Sequence, residues 1–396
     1  MKGLGPFPMA DLWKPPALIR KPSIFPPGVT SKMRIAYVSL HWPRTRTSGV
    51  GKKIHSHVSM WNKMGHQARL FMHTSEYEPR SELIEADYFF YAVTGKVGTE
   101  LNRIAAAQRM IAAVREFRPD IIFLRYGIYV FPAHRLMDIA PVVEEINTDD
   151  LTQHKQLGPA YGLYNRLTRG IFLRRVRGLV AVSHELAASP AFASFRKPTV
   201  VIANGIDLDA ITPLSAPHNE VPHLFFIATP GYSWHGVDKL VTLARMCPDL
   251  TVSVVGYNFI EVAGPLPANL YLHGYLGPEA YVDLLSKSDA AISTLAFHRM
   301  NMQEGSPLKT RECLAHGLPI VLAYTDTDLA EAPGDFMLKI PNKEDNIQTH
   351  AQSIRDFAYR MRGCRADREL LEKHIDTKQK EAIRLSFFEE ILRNLH

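Results

Sequence analysis

Short runs of consecutive apolar residues recur along the chain, and segments with helical periodicity separate them. The first run spans residues 34–40, and a glycine-containing loop, a helical segment at 50–64 and another apolar run at 67–73 follow. Further apolar runs lie at 120–124, 141–146, 178–182 and 199–202, with helical segments at 101–118 and 161–177. Apolar strands that alternate with helices indicate a parallel sheet covered on both faces.

A polar stretch at 215–220 interrupts this alternation, which then restarts. The second series predicts strands at 223–228, 250–255, 270–273, 290–294 and 319–322, and helices at 237–246, 278–287 and 307–316. Two successive open α/β units face each other across a cleft, and ligands bind at the carboxyl ends of such strands. The predicted fold class is therefore α/β, with two Rossmann-like, doubly wound parallel-sheet domains.

The same pattern predicts the domain boundaries. A proline-rich N-terminal arm occupies residues 1–32, the first Rossmann-like domain spans 33–213, and the second spans 221–375. An amphipathic C-terminal helix falls within 376–396. Clustered prolines favour an extended conformation for the arm.

Composition narrows the function classes. A net charge of +6 over 396 residues is too small and too dispersed for a typical nucleic-acid-binding protein. The arm lacks the apolar core of a signal peptide, and no stretch reaches the ~20 apolar residues of a membrane-spanning helix. Three cysteines without a metal-binding spacing suit a reducing compartment. These features predict a cytoplasmic protein.

The most informative motif begins at Glu304, where the chain continues Gly-Ser-Pro-Leu-Lys-Thr-Arg-Glu312. Pro307 suits the first position of a helix, and the free amides of that first turn form an anion site. A carboxylate thus precedes an anion-binding helix start, and a second lies nearly two turns along it. The arrangement suits a ligand with a central diphosphate and hydroxyl-rich ends, such as a sugar nucleotide.

Several motifs together resemble the retaining GT-B glycosyltransferases of the family 4, or group 1, type. The resemblance covers residues 33–396, nearly the whole chain. The matching pieces, in order, are Ser48-Gly49-Val50, Leu124-Arg125-Tyr126, Glu145-Ile146-Asn147, Val182-Ser183, Asn204-Gly205-Ile206-Asp207, Trp234-His235-Gly236-Val237-Asp238, Gly256, Glu304 through Pro319, and Phe387-Phe388.

The resemblance implies a donor site in the second domain. Glu312 would accept hydrogen bonds from the ribose hydroxyls, because a carboxylate can accept from both hydroxyls of a diol. Glu304 would contact the transferred sugar. The remaining donor-side residues would surround the diphosphate: Ser306, Pro307, Leu308, Lys309, His235 and, across the cleft, Gly49.

Two positions depart from the family pattern. Many relatives carry lysine where this chain has His235, and histidine is only partly charged at neutral pH. Arg299 is expected to supply the missing positive charge, because its planar fork suits phosphate. Many relatives also carry histidine where this chain has Asn147, which can hydrogen-bond a sugar hydroxyl but cannot transfer a proton. The expected catalytic residues are thus Glu304, Lys309, Arg299 and Asn147.

The acceptor side would lie on the first domain. Its expected residues follow the carboxyl ends of three strands: Gly51, Lys52, Arg125, Tyr126, Glu145. A plain tight turn remains an alternative interpretation of Gly49, and a solvated helix start remains one of Lys52 and Lys53. The basic, leucine-rich segment 161–177 is a candidate membrane contact, although a core-packing helix remains the alternative.

No metal or other cofactor is expected. Asp326-Thr327-Asp328 resembles the Asp-X-Asp metal motif of a different glycosyltransferase fold, but a helix-capping loop explains it better here.

The predicted function is a retaining glycosyltransferase that moves a sugar from a nucleoside diphosphate to an acceptor hydroxyl, in polysaccharide or glycoconjugate synthesis. The expected partners are the nucleotide-sugar donor and a glycan, lipid-linked or small-molecule acceptor. A non-catalytic sugar-nucleotide-binding or scaffold protein is one alternative, and a sugar-nucleotide epimerase is another. The sequence leaves the base, the sugar and the acceptor open.

Overall fold

The computed structural model describes residues 19–20, 32–40, 48–75, 83–125, 127–330, 332 and 334–395. Tyr126 and most of the predicted N-terminal arm lie outside these residues. Within the arm, Ile19–Arg20 forms a short strand that pairs in parallel with Thr199–Val201. Among the described residues, no helix combines the length and hydropathy that a bilayer crossing requires.

The first domain is built on an eight-stranded sheet in which every described pair is parallel. Its strands are β1 (Ile19–Arg20), β2 (Arg34–Leu40), β3 (Gln67–Ser75), β4 (Asp87–Tyr91), β5 (Ile121–Arg125), β6 (Val142–Ile146), β7 (Gly178–Ala181) and β8 (Thr199–Val201). They lie in the order β1-β8-β7-β6-β5-β2-β3-β4. The helices are α1 (Gly49–Lys63), α2 (Gly95–Phe117), α3 (Asp150–Gln156), α4 (Pro159–Leu173), α5 (His184–Ala188) and α6 (Pro190–Ala193).

The second domain contains a six-stranded parallel sheet and a separate two-stranded pair. Its strands are β9 (His223–Ile227), β10 (Thr251–Val255), β11 (Leu270–Gly274), β12 (Ala290–Ile292), β13 (Glu304–Gly305), β14 (Ile320–Leu322), β15 (Thr325–Asp326) and β16 (Met337–Lys339). The large sheet has the order β11-β10-β9-β12-β14-β16, and β13 pairs with β15. The helices are α7 (Val237–Met246), α8 (Pro278–Ser286), α9 (Leu308–Ala315), α10 (Asn346–Met361), α11 (Arg368–Ile375) and α12 (Thr377–Arg393). Two parallel-sheet α/β domains are therefore confirmed.

Each large sheet carries apolar clusters on both faces, as expected for strands that are buried on both sides. The C-terminal helix α12 belongs to the first domain's core, where Phe387 and Phe388 are buried with Trp61 of α1. Glu381 fixes this packing, because its carboxylate accepts a hydrogen bond from the Trp61 indole at 2.7 Å and lies 2.6 Å from His57 Nδ1. The chain thus returns to its first domain after completing the second.

The connection between the domains passes close to the start of α12. The backbone of Ile206 forms a bridge with Asp376, and a side chain at Gly205 would come within 2.9 Å of the Thr377 Cα. Glycine at this position therefore lets the linker and the returning helix approach each other.

Candidate active site

The start of α9 lies at the junction of the two domains. The helix begins at Leu308, so Pro307 is the residue that precedes it rather than the first helical residue that was predicted. Its ψ of 134° is extended, which ends the preceding loop before the helix turns. Ser306 accepts a hydrogen bond on its hydroxyl from the Asn204 amide at 2.8 Å, and its carbonyl accepts one from the Asn204 side chain. The helix start is thereby held against the first domain.

The N-terminus of α1 faces the same junction. Ser48 caps α1 by accepting a hydrogen bond from the Gly51 amide, and Gly49 is the first helical residue. A side chain at Gly49 would lie 3.6 Å from Leu308 Cδ1, so two helix starts meet across the domains. The first turn of each helix lacks an acidic residue. Because helix N-termini favour negative charge, their convergence forms a candidate anion site.

Two buried nitrogen atoms beside α9 have no hydrogen-bond partner among the described residues. They are Lys309 Nζ, which lies 4.3 Å from the centre of the Phe226 ring, and His235 Nδ1. Burial lowers the pKa of Lys309 to about 7. Burial, helped by the Lys309 charge, lowers the pKa of His235 to about 2. His235 is therefore neutral, and Lys309 changes charge near neutral pH.

Arg299, which was expected to supply positive charge to the diphosphate, is bound to other groups in this structure. Its guanidinium donates to both carboxylate oxygens of Asp238 at 2.8 and 2.7 Å, to the Ser233 carbonyl at 3.0 Å, and to Glu344. Two carboxylates already neutralise this cation, so it has little capacity left for a phosphate. Arg299 connects the segment around His235 to Glu344, which precedes α10.

Glu304 reaches across the junction rather than into open space. Its carboxylate accepts hydrogen bonds from the backbone amides of His184 and Glu185, at 3.1 and 2.8 Å, and lies 3.0 Å from the His184 ring. In return, the Glu185 carboxylate accepts from the amides of Gln303 and Glu304. Burial opposes ionisation of Glu304, but the hydrogen bonds from His184 and Glu185 outweigh it and lower its pKa.

This reciprocal contact changes the interpretation of Glu304. In the conformation described here the carboxylate holds the domains together, and the transferred sugar would have to share it with three donors. Sequence analysis missed His184 and Glu185, although they directly follow Val182-Ser183. A polar pair after a strand end was the available signal.

Glu312 is half-buried on α9. Burial, together with the nearby Cys313 and Glu312, raises the pKa of the buried Tyr281 of α8 well above its usual value. The Glu312 carboxylate therefore lies near the Tyr281 hydroxyl. The adjacent Arg311 is fully buried and pairs with Asp326 and Asp328, and Glu312 takes no part in this ion pair.

The carboxylates of Asp326 and Asp328 already have partners. In addition to Arg311, Lys380 of α12 lies 2.7 Å from Asp328, and Asp326 Oδ1 accepts a hydrogen bond from the backbone amide of Asp328 at 3.1 Å. Among the described residues, no group of three metal-ligating side chains occurs. The Asp-X-Asp string is thus part of an ion-pair network between α9 and α12.

The first domain contributes a buried cluster at the carboxyl ends of β5 and β6. Glu145 is fully buried and lies 2.8 Å from Lys53 Nζ and 3.0 Å from Arg125 Nη1, and it accepts a hydrogen bond from the Tyr37 hydroxyl at 3.1 Å. Burial opposes its ionisation, yet Lys53 and Arg125 hold its pKa well below the usual value. Lys53 also donates to Asn147 Oδ1 at 2.7 Å, which leaves the buried Asn147 Nδ2 without a partner among the described residues.

This cluster corrects the expectation for Lys52. Lys52 is exposed, whereas its neighbour Lys53 is buried and binds both Glu145 and Asn147. Burial lowers the pKa of Lys53 to about 8. Gly51 is buried in the first turn of α1, and Tyr126 is outside the described residues. The structure brings Arg125, Glu145 and Asn147 together, as predicted for neighbouring strand ends.

Comparison with known proteins agrees with this geometry. Residues 47–210 match the sequence model of Glycosyltransferase Family 4. This part of the chain therefore resembles the family 4 glycosyltransferases. No curated protein sequence matches it significantly, so the further likenesses are structural.

Solved structures share the fold of this chain over nearly its whole length, although their sequences are distant from it. A glycosyltransferase from Rickettsia africae is 15% identical, with a TM-score of 0.59, and the match covers 92% of this chain and 100% of that one. The lipopolysaccharide outer core galactosyltransferase WaaB is 12% identical (TM-score 0.58; 90% and 100% covered). An alpha-glucosyltransferase in complex with UDP and DNA is 14% identical (TM-score 0.59; 91% and 100% covered). The two domains thus form the GT-B fold.

Proposed function

We propose that this protein is a glycosyltransferase, which moves a sugar from a nucleoside diphosphate donor to an acceptor hydroxyl with retention of anomeric configuration. The observation that carries the proposal is the anion site at the domain junction. Two helix N-termini converge there, and Lys309 Nζ is buried beside them without a hydrogen-bond partner among the described residues. A bound diphosphate would supply the missing partner.

The donor would lie mainly on the second domain. Its diphosphate would contact the first-turn amides of α9 and the Lys309 ammonium, and its ribose would reach Glu312. One structural neighbour binds UDP, which makes a UDP-sugar the first donor to test. The sugar would then project toward Asn147 and the first domain.

The chemistry would depend on stabilising charge on the departing diphosphate. The bond between the anomeric carbon and the phosphate oxygen breaks, the acceptor oxygen bonds to the same carbon, and the acceptor proton passes to the phosphate oxygen. The positions of the two cleft carboxylates support a reaction without a protein nucleophile. Glu145 is enclosed by Lys53, Arg125 and Tyr37, and Glu304 accepts three hydrogen bonds.

The first test is a thermal-shift screen with UDP-, GDP- and ADP-sugars, because a ligand that binds the native state raises its apparent stability. Glu312→Ala should weaken binding of the donor found in this way by about 2 kcal/mol, roughly thirtyfold in affinity, because the hydrogen bonds to ribose are lost. Glu279→Ala, at an exposed site on α8, is the matched control. An unchanged donor affinity in the Glu312 variant would contradict the assignment.

Two assays separate transfer from the alternatives. Incubation with donor alone would reveal an altered sugar if the protein were an epimerase. Donor hydrolysis without acceptor, or transfer to any acceptor, would establish turnover. Donor binding without turnover on a panel of acceptors would favour the non-catalytic alternative, for which the engagement of Glu304 by His184 and Glu185 is the motivating observation.

A further inference from the structure

The outer face of α4 exposes large apolar side chains to solvent. Leu167 is 72% exposed and Leu163 is 60% exposed, and Tyr164 and Ile171 are also exposed. Tyr164, Leu167 and Ile171 follow helical spacing, so they form one stripe along the helix. The opposite side of the same helix packs into the core through Phe172 and Leu173. The helix therefore has two apolar faces, one packed into the core and one exposed to solvent.

This stripe extends onto the neighbouring helix α2. Tyr164 donates a hydrogen bond to the Tyr129 carbonyl at 3.2 Å, and the turn that follows (Ala133–Asp138) packs against α2. Burial raises the pKa of Tyr164, with smaller influences from Arg103 and Glu100 of α2. On that part of α2, Val97 is 75% exposed and Leu101 is 62% exposed. The exposed apolar surface thus spans two helices, which is more than the scattered single side chains that most protein surfaces carry.

A basic groove begins where α4 ends. It has a volume of about 260 Å³, and four cationic residues contribute to its lining: Arg174, Arg175, Arg177 and Lys197. The Arg174 side chain folds back toward Gly170, so it continues the line of the apolar stripe. Asp138 lies 2.6 Å from Arg175, and Lys197 donates to the Arg174 carbonyl. Arg174 and Arg177 form no ion pair with another described residue, and both are exposed.

The position of the groove separates it from the candidate active site. Pro141 and Val142, at the start of β6, line it, and Arg177 directly precedes β7. The groove therefore lies at the amino-terminal edge of the sheet, whereas the cleft lies at the carboxyl-terminal edge. Helix α4 runs between these two edges, because helices in parallel α/β domains run opposite to the strands.

We propose that this surface, formed by the outer face of α4, the exposed end of α2 and the basic groove, binds the surface of an anionic lipid bilayer. The apolar stripe would enter the headgroup region, while Arg174 and Arg177 bind lipid phosphates. The combination of apolar side chains with a one-sided excess of arginine favours this partner.

Vesicle co-sedimentation of the full-length protein tests the proposal. Binding is expected to vesicles that contain phosphatidylglycerol and to be much weaker to pure phosphatidylcholine. Leu167→Glu should reduce binding about tenfold, and Arg174→Glu should reduce it at least about fivefold, which corresponds to about 1 kcal/mol per cation. Met246→Glu and Arg360→Glu, which change exposed residues of α7 and α10, are the matched controls.

Absence of binding to anionic vesicles would overturn the proposal, and so would equal loss of binding in the controls. Light scattering provides an independent readout, since a dimer that Leu167→Glu dissociates would assign the surface to a second copy instead. Unchanged thermal stability of each variant would show that folding is intact. The proposal does not depend on the donor site, so either can fail without the other.

Discussion

The two domains differ in how their buried polar groups at the cleft are paired. In the first, the Glu145 carboxylate is surrounded by Lys53, Arg125 and Tyr37, so its charge is fully compensated. In the second, the nitrogens of Lys309 and His235 are equally buried but have no hydrogen-bond partner among the described residues. One region is complete as folded, whereas the other lacks an anion.

Because of this difference, mutations in the two regions should have different effects, on stability in the first and on ligand binding in the second. Removing one member of a compensated buried pair leaves the other charge buried alone, which costs stability. Removing a buried cation without a hydrogen-bonded counter-charge should cost little or no stability, because only the contact with the Phe226 ring is lost. Its loss should instead appear in the binding of the ligand that would complete it.

The largest expected effect is on the compensated region. Glu145→Gln leaves Lys53 and Arg125 without their counter-charge and should lower the free energy of unfolding by about 3–5 kcal/mol. Denaturant titration measures the change, with Glu279→Gln on the exposed side of α8 as a control that stays within about 0.5 kcal/mol. A loss below about 1 kcal/mol would show that the cluster does not hold the domain together.

The next effect is on the uncompensated region. Lys309→Met should reduce donor affinity by about 2–3 kcal/mol, because one charge-assisted contact to the diphosphate is lost. The free energy of unfolding should stay the same or rise, since a buried amine without a partner is replaced by an apolar side chain. Calorimetric titration with the donor and denaturant unfolding provide the two readouts, and Lys373→Met at an exposed site on α11 is the control. A destabilised variant with unchanged donor affinity would contradict the prediction, because it would show that Lys309 serves stability rather than donor binding.

The same contrast between local and long-range contacts explains which features could be predicted from the sequence. Alternating apolar strands and helices predicted both sheets, because a strand that is buried on both faces has a distinctive composition. The Glu304–Glu312 string located the start of α9 to within one residue. These predictions succeeded because each depends on local sequence.

The errors concern long-range partners. Arg299 was expected to be free, yet Asp238 and Glu344, more than 40 residues away in each direction, neutralise it. Lys52 and Lys53 are adjacent, and only the rotation of α1 against the sheet decides which of them is buried. Glu304 meets residues about 120 positions earlier in the chain, and no local pattern encodes that contact.

A smaller, pH-dependent effect should follow from Lys309. Its pKa in the free protein is about 7, and a bound diphosphate favours the charged form. Donor affinity should therefore be constant below pH 7 and should fall above it, by up to about 1.4 kcal/mol per pH unit, until the pKa of the complex is reached. Lys309→Met should remove this slope. A wild-type affinity that stays constant between pH 7 and 9 would contradict a charged contact at this position.

The smallest effect tests whether every buried group without a partner awaits a ligand. Glu144 lies on the other face of β6, is fully buried, and has no hydrogen-bond partner for either oxygen among the described residues. Burial, with repulsion from Asp150 and against the opposing influence of Arg169, raises its pKa well above the usual value. We expect a neutral carboxylic acid here, because a buried carboxylate without a partner is costly and the group can avoid that cost by keeping its proton. No ligand is needed to neutralise it.

The sign of the pH effect follows from that raised pKa. Below the unfolded-state value near 4.5, both states are protonated and Glu144→Gln should match the wild type. As the pH rises through the window up to the folded-state pKa, the unfolded chain releases its proton first, so wild-type stability falls relative to the variant by at most about 1.4 kcal/mol per pH unit. Denaturant unfolding of both proteins at pH 4, 5 and 6 measures the gap. A gap that does not widen with pH would mean that Glu144 ionises freely and has a partner after all, which would place it with Glu145 rather than in the apolar core.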